Sequence, residues 1–213
     1  MTATARMAML DLRTVAPYRY YGLGVFALGV LVFASKPIWF VPALVLMFTA
    51  QIAPYPFSVA DKAGLETLYA VLPVPRRAVV YGHYAWAVAI FLATATVGTG
   101  LALLIARIQD VPFGGRVVVT MLTLSWALFA INVAIQFPLL IRFGYTRVSV
   151  LGTSMPLALV LGVVYRMRIT VASMQSWLPL IGVAALAVFV ASAAVATAVD
   201  GRRVRHGWNR RTD

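Results

Sequence analysis

The side chains that most often carry chemistry are few in this 213-residue chain, and they are widely spaced. It has two histidines, His83 and His206, and no cysteine, so thiolate catalysis, disulfides and cysteine metal sites are excluded. All six acidic residues fall outside the middle of the long apolar runs: Asp11, Asp61, Glu66, Asp110, Asp200 and Asp213. Because the two histidines are far apart in the sequence and have no partner cluster, we interpret them as interfacial residues rather than ligands, and we predict no metal site.

The sequence also lacks the motifs of the common enzyme classes. It contains no Walker A loop, no G-x-S-x-G and no H-E-x-x-H. We therefore expect no catalytic residue, no bound cofactor and no ATP hydrolysis by this chain. Because no acidic residue lies in the middle of an apolar run, a proton- or ion-driven pump is also disfavoured. A membrane-embedded enzyme would need a nucleophile–base or carboxylate cluster. The sequence shows none, so an enzyme is the weakest alternative.

Among the uncharged polar residues within the apolar runs, we single out five. Thr49 and Gln51 belong to the second run. Ser125, Asn132 and Gln136 follow at steps of seven and four, which puts them on roughly one face of a helix. One interpretation is hydrogen bonding between packed helices, worth about 1 kcal/mol per contact. The other is the polar lining of a translocation path, and the residue types leave both open.

The elements that must position these residues are membrane spans. Of the residues, 62% are hydrophobic and 11% are charged, against about 25% charged in soluble domains. A helix needs about 20 mainly apolar residues to cross a bilayer. We predict an all-α integral membrane protein with an interfacial segment at 1–19, a six-span domain at 20–199 and a basic tail at 200–213. The predicted spans are 20–34, 38–57, 79–106, 117–141, 148–165 and 177–199.

The net charge of +12, from 18 basic and 6 acidic residues, would suggest nucleic-acid binding in a soluble domain. In this chain the distribution of the basic residues instead indicates how the spans are oriented across the membrane. Thirteen of the basic residues belong to the N-terminal segment, the segments 58–78 and 142–147, and the C-terminal tail. The others are Lys36, Arg107, Arg116, Arg166 and Arg168. The positive-inside rule therefore predicts that both termini are cytoplasmic, with the basic tail against anionic lipid and no nucleic-acid partner.

The segment 58–78 between spans two and three has its own pattern. Ser58 and Asp61 have the spacing of a capping box at a helix start. Leucines and a tyrosine then recur on one helical face, and Pro73 ends the helix, while Pro75 is suited to begin the next one. The pattern predicts a short amphipathic helix at the cytoplasmic surface. Such a helix binds either lipid or a cytoplasmic protein, and composition alone does not separate the two.

This segment resembles the cytoplasmic loop of permeases of the type-2 ABC export superfamily. Many bacterial members carry D-[EK]-x-x-G-x-E-x-L-x-x-x-L-P-[VI]-x-R-x-x-[IV]-V there. The matching positions of this chain are Asp61, Lys62, Gly64, Glu66, Leu68, Leu72, Pro73, Val74, Arg76, Val79 and Val80. The six-span plan, the basic N-terminal segment and the cytoplasmic termini are similar to the family as well.

The resemblance implies a permease subunit of an ABC exporter in the bacterial plasma membrane. Such a permease pairs with a second copy or a paralogue and binds separate cytoplasmic ATPase subunits, which hold the ATP and Mg. Residues 58–75 would be the coupling helix. Its expected contacts with the ATPase are Asp61, Lys62, Glu66, Leu68, Leu72, Arg76 and Arg77. A membrane scaffold or immunity-type protein is the alternative, since the same spans would serve it.

Overall fold

The computed structural model describes residues 3–15, 19–33, 37–64, 75–146 and 175–209. Their regular structure is entirely helical, which confirms the all-α prediction for this part of the chain. We number the helices α1 (Ala3–Val15), α2 (Arg19–Phe33), α3 (Pro37–Gln51), α4 (Tyr55–Lys62), α5 (Arg76–Ile108), α6 (Gly115–Phe143) and α7 (Leu178–Asn209). A 3₁₀ turn at Gln175–Trp177 leads into α7.

Among the described residues, four segments are long and apolar enough to cross a membrane, and they overlap predicted spans two, three, four and six. They are Trp39–Lys62, Arg77–Ile108, Gly115–Phe143 and Leu178–Val199. At the position of predicted span one there is a shorter apolar helix, Gly22–Phe33. Predicted span five, 148–165, lies outside the described residues. The count of six spans and their orientation therefore remain predictions.

Helix α3 is the centre of the bundle. It packs against α2, α5 and α6, while α7 packs mainly against α6. Phe40, Val41 and Val45 of α3 are completely buried, because helices surround them on several sides. The outward faces of α5 and α7 instead expose leucine and valine side chains, as expected for surfaces that meet lipid.

A proline-rich turn separates α3 from α4 and corrects one sequence interpretation. Pro54 caps α4 and Pro56 lies in its first turn, where a missing N–H is tolerated. The helix consequently begins before Ser58, which is buried inside it, and ends just after Asp61. The capping-box interpretation of Ser58 and Asp61 is therefore wrong, because Ser58 lies inside a helix that Pro54 caps, and Asp61 lies in the last turn of that helix.

Helix α1 is amphipathic and packs against the bundle along α5. Its buried face carries Met7 and Asp11, four residues apart. The close approach depends on Gly82 of α5, since a Cβ added there would lie 2.6 Å from both Cβ and Cγ of Met7. The opposite face exposes two arginines and several apolar side chains: Arg6, Met9, Leu10, Leu12 and Arg13. That mixture suits a helix at a membrane surface.

Candidate functional site

A buried polar pair joins α1 to α5. The Nδ1 atom of His83 lies 2.8 Å from the Oδ2 atom of Asp11, and the two residues are 5% and 2% exposed. The ring of Phe57, in α4, packs on the imidazole with 4.4 Å between ring centroids. The sequence analysis anticipated neither the burial of His83 nor its contact with Asp11. Its partner lies 72 positions away, and no spacing rule links residues at that distance.

The same level of the bundle holds an aromatic cluster that aligns three helices. Phe137 of α6 makes edge-to-face contacts with Phe57 of α4 and Tyr84 of α5, each with 5.1 Å between centroids. These contacts place the end of α4, the start of α5 and the end of α6 at one end of the bundle, together with α1. The basic residues exposed at this end are Arg6, Arg13, Lys62, Arg77 and Arg142.

A second polar contact fixes the end of α4. The carboxylate of Asp61 accepts a hydrogen bond from the backbone N–H of Thr146 at 2.7 Å and another from the Thr146 hydroxyl. Gly144 ends α6 with a φ of +80°, and a Cβ there would lie 3.5 Å from Asp61 Oδ2. Asp61 therefore connects the last turn of α4 to the segment that follows α6.

The structure describes some of the predicted coupling residues and not others. Asp61 and Lys62 are exposed in the last turn of α4, Arg76 begins α5, and Arg77 is exposed in its first turn. Glu66, Leu68 and Leu72 lie outside the described residues. The start of the predicted coupling segment and the first turn of α5 thus lie at the end of the bundle where α1 and the Asp61–Thr146 contact lie.

Of the five candidate path residues, two have hydroxyls that bond to their own helices. Thr49 Oγ1 donates to the Val45 carbonyl, and Ser125 Oγ donates to the Met121 carbonyl, both at 2.6 Å. Each hydroxyl proton is thereby used within one helix. Gln51 is exposed at the end of α3.

Two side-chain amides of α6 do not bond within their own helix. Gln136 and Asn132 are completely buried, and Gln136 Nε2 donates to the Ala50 carbonyl of α3 at 3.2 Å. This bond joins two packed helices, which is the first of the two roles that the sequence analysis left open for these polar residues. Gln136 Oε1 and both amide atoms of Asn132 have no hydrogen-bond partner among the described residues. The face thus combines one interhelical bond with unsatisfied polar atoms in an apolar interior.

A third polar contact, which the sequence analysis missed, links α5, α7 and α6. The Tyr84 hydroxyl lies 2.7 Å from Ser192 Oγ, and Ser192 Oγ donates to the Ala134 carbonyl at 3.5 Å. Pro138 lies within α6 and has no N–H, so it leaves the carbonyl four residues earlier without its helical partner. A proline inside an apolar run was the sequence feature that could have predicted a free backbone carbonyl, and hence a polar contact, at this place.

The described residues include no group of three or more His, Asp or Glu side chains that could hold a metal ion. The arrangement consists of interhelical hydrogen bonds in apolar spans and a charged end with an amphipathic surface helix. These features define a multi-pass helical membrane protein.

The sequence profile described as ABC-2 family transporter protein matches residues 10–199. Since this match covers most of the chain, the protein belongs to the ABC-2 family of transporter proteins and is a permease-type membrane component of an ABC transporter. The predicted family membership is thereby confirmed. Comparison with curated proteins and with solved structures gives no match.

Proposed function

We propose that the chain is the permease subunit of an ABC exporter and couples through residues 58–75 to a separate ATPase subunit. That partner would hold the ATP and Mg, and this chain would bind no cofactor. The permease would act with a second copy or a paralogue in the bacterial plasma membrane. The family match over residues 10–199 is the observation that carries this proposal.

The geometry of the bundle end supports the position of the coupling element. Lys62, near the start of the predicted coupling segment, and Arg77, just after its end, are both exposed. Asp61 ties the preceding helix to the segment after α6, and Phe57 packs on His83 of α5. A force applied to this loop would therefore reach α5 and α6 directly, as coupling to transport requires.

The distribution of basic residues supports an inward-facing position for this end, with six spans and both termini in the cytoplasm. Arg107 and Arg116 lie at the opposite end of α5 and α6. The chain has no cysteine, so single cysteines report topology without background. In intact cells, an impermeant maleimide should label Ser176→Cys but not Lys62→Cys, which should react only after permeabilisation. The reverse pattern would contradict the orientation.

The five candidate path residues separate into groups. Thr49 and Ser125 use their hydroxyl protons within their own helices, and Gln51 is exposed at the end of α3. Asn132 and Gln136 keep polar atoms without partners among the described residues. Of the buried residues, we propose these two as the ones that face a path when the spans separate.

The direct test is co-purification with a co-expressed nucleotide-binding subunit. Reversing two predicted contacts, by Glu66→Arg with Arg76→Glu, should abolish retention of the ATPase while leaving the permease in the membrane. Arg107→Glu, a charge reversal at the opposite end, is the matched control and should retain the ATPase. If the double variant still binds the ATPase as the unmodified chain does, the coupling assignment is wrong.

The same experiment separates the exporter from the alternative of a membrane scaffold or immunity-type protein. Such a protein would have the same spans but no need to retain an ATPase. Co-purification of the unmodified chain with the nucleotide-binding subunit therefore favours the exporter, and its absence favours the alternative.

A further inference from the structure

A cavity of about 590 Å³ lies between the first turns of α6 and the start of α7. It is at the end of α6 remote from the Asp61–Thr146 contact. Its described lining is Gly115, Arg116, Val119, Thr120, Ser176 and Leu178. The volume is within the range of sites that hold small molecules, about 300–1,000 Å³.

The described lining combines an apolar wall with a cation that has no acidic neighbour among the lining residues the structure describes. Val119 and Leu178 supply hydrocarbon, and the Arg116 guanidinium has no ion pair with any residue that the structure describes. None of the described lining residues is acidic. A guanidinium presents paired N–H donors that match the oxygens of a phosphate or carboxylate. The cavity is therefore complementary to an amphiphile with an anionic headgroup.

The two hydroxyl groups of the described lining differ in whether their protons can be donated to a ligand. Thr120 Oγ1 donates to the Arg116 carbonyl at 2.8 Å, so its proton is already used. Ser176 is exposed, and its hydroxyl is able to donate to an anion beside Arg116. Arg116 and Ser176 are consequently the two donors that the described lining provides.

We propose that this cavity binds the phosphate headgroup of an anionic membrane lipid. Arg116 and Ser176 hold the headgroup, and an acyl chain lies along Val119 and Leu178. A lipid fits better than free phosphate because Val119, which lines the cavity, is 56% exposed, and Leu180 and Val183 near the start of α7 are also exposed. The apolar wall thus continues onto the surface that meets lipid. This site is independent of the proposed ATPase coupling.

The test is native mass spectrometry of the full chain in a neutral detergent, titrated with phosphatidylglycerol or phosphatidylcholine. Phosphatidylglycerol should bind more tightly than phosphatidylcholine. Arg116→Gln should weaken it about fivefold, the factor equivalent to roughly 1 kcal/mol for one basic residue at an anionic lipid. Val119→Trp fills the cavity from an exposed position and should weaken both lipids. Arg107→Gln removes the same charge at the same end of the bundle but outside the described lining, and should change nothing.

Three results would overturn the proposal. Equal affinities of Arg116→Gln and Arg107→Gln would show that the cavity does not select the headgroup. Equal binding of the two lipids would exclude recognition of net anionic charge. Displacement of phosphatidylglycerol by inorganic phosphate alone would identify a free anion as the ligand instead of a lipid. No ATPase subunit is present in the assay, so its outcome does not depend on the proposed coupling.

Discussion

Asp11 Oδ2 lies 2.8 Å from His83 Nδ1, and this contact makes the N-terminal helix a part of the bundle. The two residues are separated by 72 positions, and both are almost inaccessible to solvent. Phe57 covers the imidazole from α4. Helices α1, α4 and α5 therefore meet around one buried polar pair, next to the loop that we propose as the coupling element.

Removing either member of this pair should destabilise the protein. We expect Asp11→Ala and His83→Ala each to cost about 1–3 kcal/mol, because each leaves a buried polar group without that partner. Thermal unfolding of the detergent-solubilised chain measures the effect, and Arg13→Ala on the exposed side of α1 is the control. In a double-mutant cycle the two losses should be less than additive. Strict additivity would mean that the contact contributes nothing.

Gly82 should tolerate no side chain, whereas Gly100 on the same helix should accept one. A Cβ at position 82 would lie 2.6 Å from the Cβ and Cγ of Met7, and one at position 100 meets nothing within 4 Å. We expect Gly82→Ala to cost about 1–3 kcal/mol through overpacking. Gly100→Ala should be neutral or stabilise by up to about 1 kcal/mol. Equal unfolding temperatures for the two variants would contradict the close packing of α1.

The hydrogen bond of Ser192 should depend on Pro138. We expect Ser192→Ala to cost about 0.6–1.7 kcal/mol, the range for polar contacts between membrane helices. Pro138→Ala restores an N–H that can bond the Ala134 carbonyl, so the cost of losing Ser192 should fall in that background. Pro42→Ala, in α3, is the control and should leave the cost unchanged. Chemical unfolding of the three single variants and the two double variants measures this coupling, and its absence would refute the link.

The long spans could be predicted from sequence because a bilayer requires continuous apolar runs. Predicted spans two, three, four and six overlap the four candidate spans of the described residues. The start of α4 could not be predicted from the apolar run 38–57, because hydrophobicity continues through Pro54 and Pro56, where a new helix begins. Glu66 and its neighbours in the coupling segment are outside the described residues, so their pattern stays a prediction.

The polar contacts between helices were harder to anticipate than the spans. The face shared by Asn132 and Gln136 was recognisable from their spacing of four. Nothing in that spacing identifies Ala50 as the partner of Gln136, because the two are 86 positions apart. The Asp11–His83 pair was missed for the same reason. Helix periodicity reports which residues share a face, but it does not report which helix that face meets.

The most direct test of the proposed function is site-specific photo-crosslinking in cells that make both the permease and its nucleotide-binding subunit. Benzoylphenylalanine in place of Lys62 probes the exposed end of α4, and in place of Ile108 it probes the exposed far end of α5. We expect light-dependent capture of the ATPase from position 62 and none from position 108. Capture from neither position, with both variants inserted in the membrane, or equal capture from both, would contradict ATPase coupling at this end of the bundle.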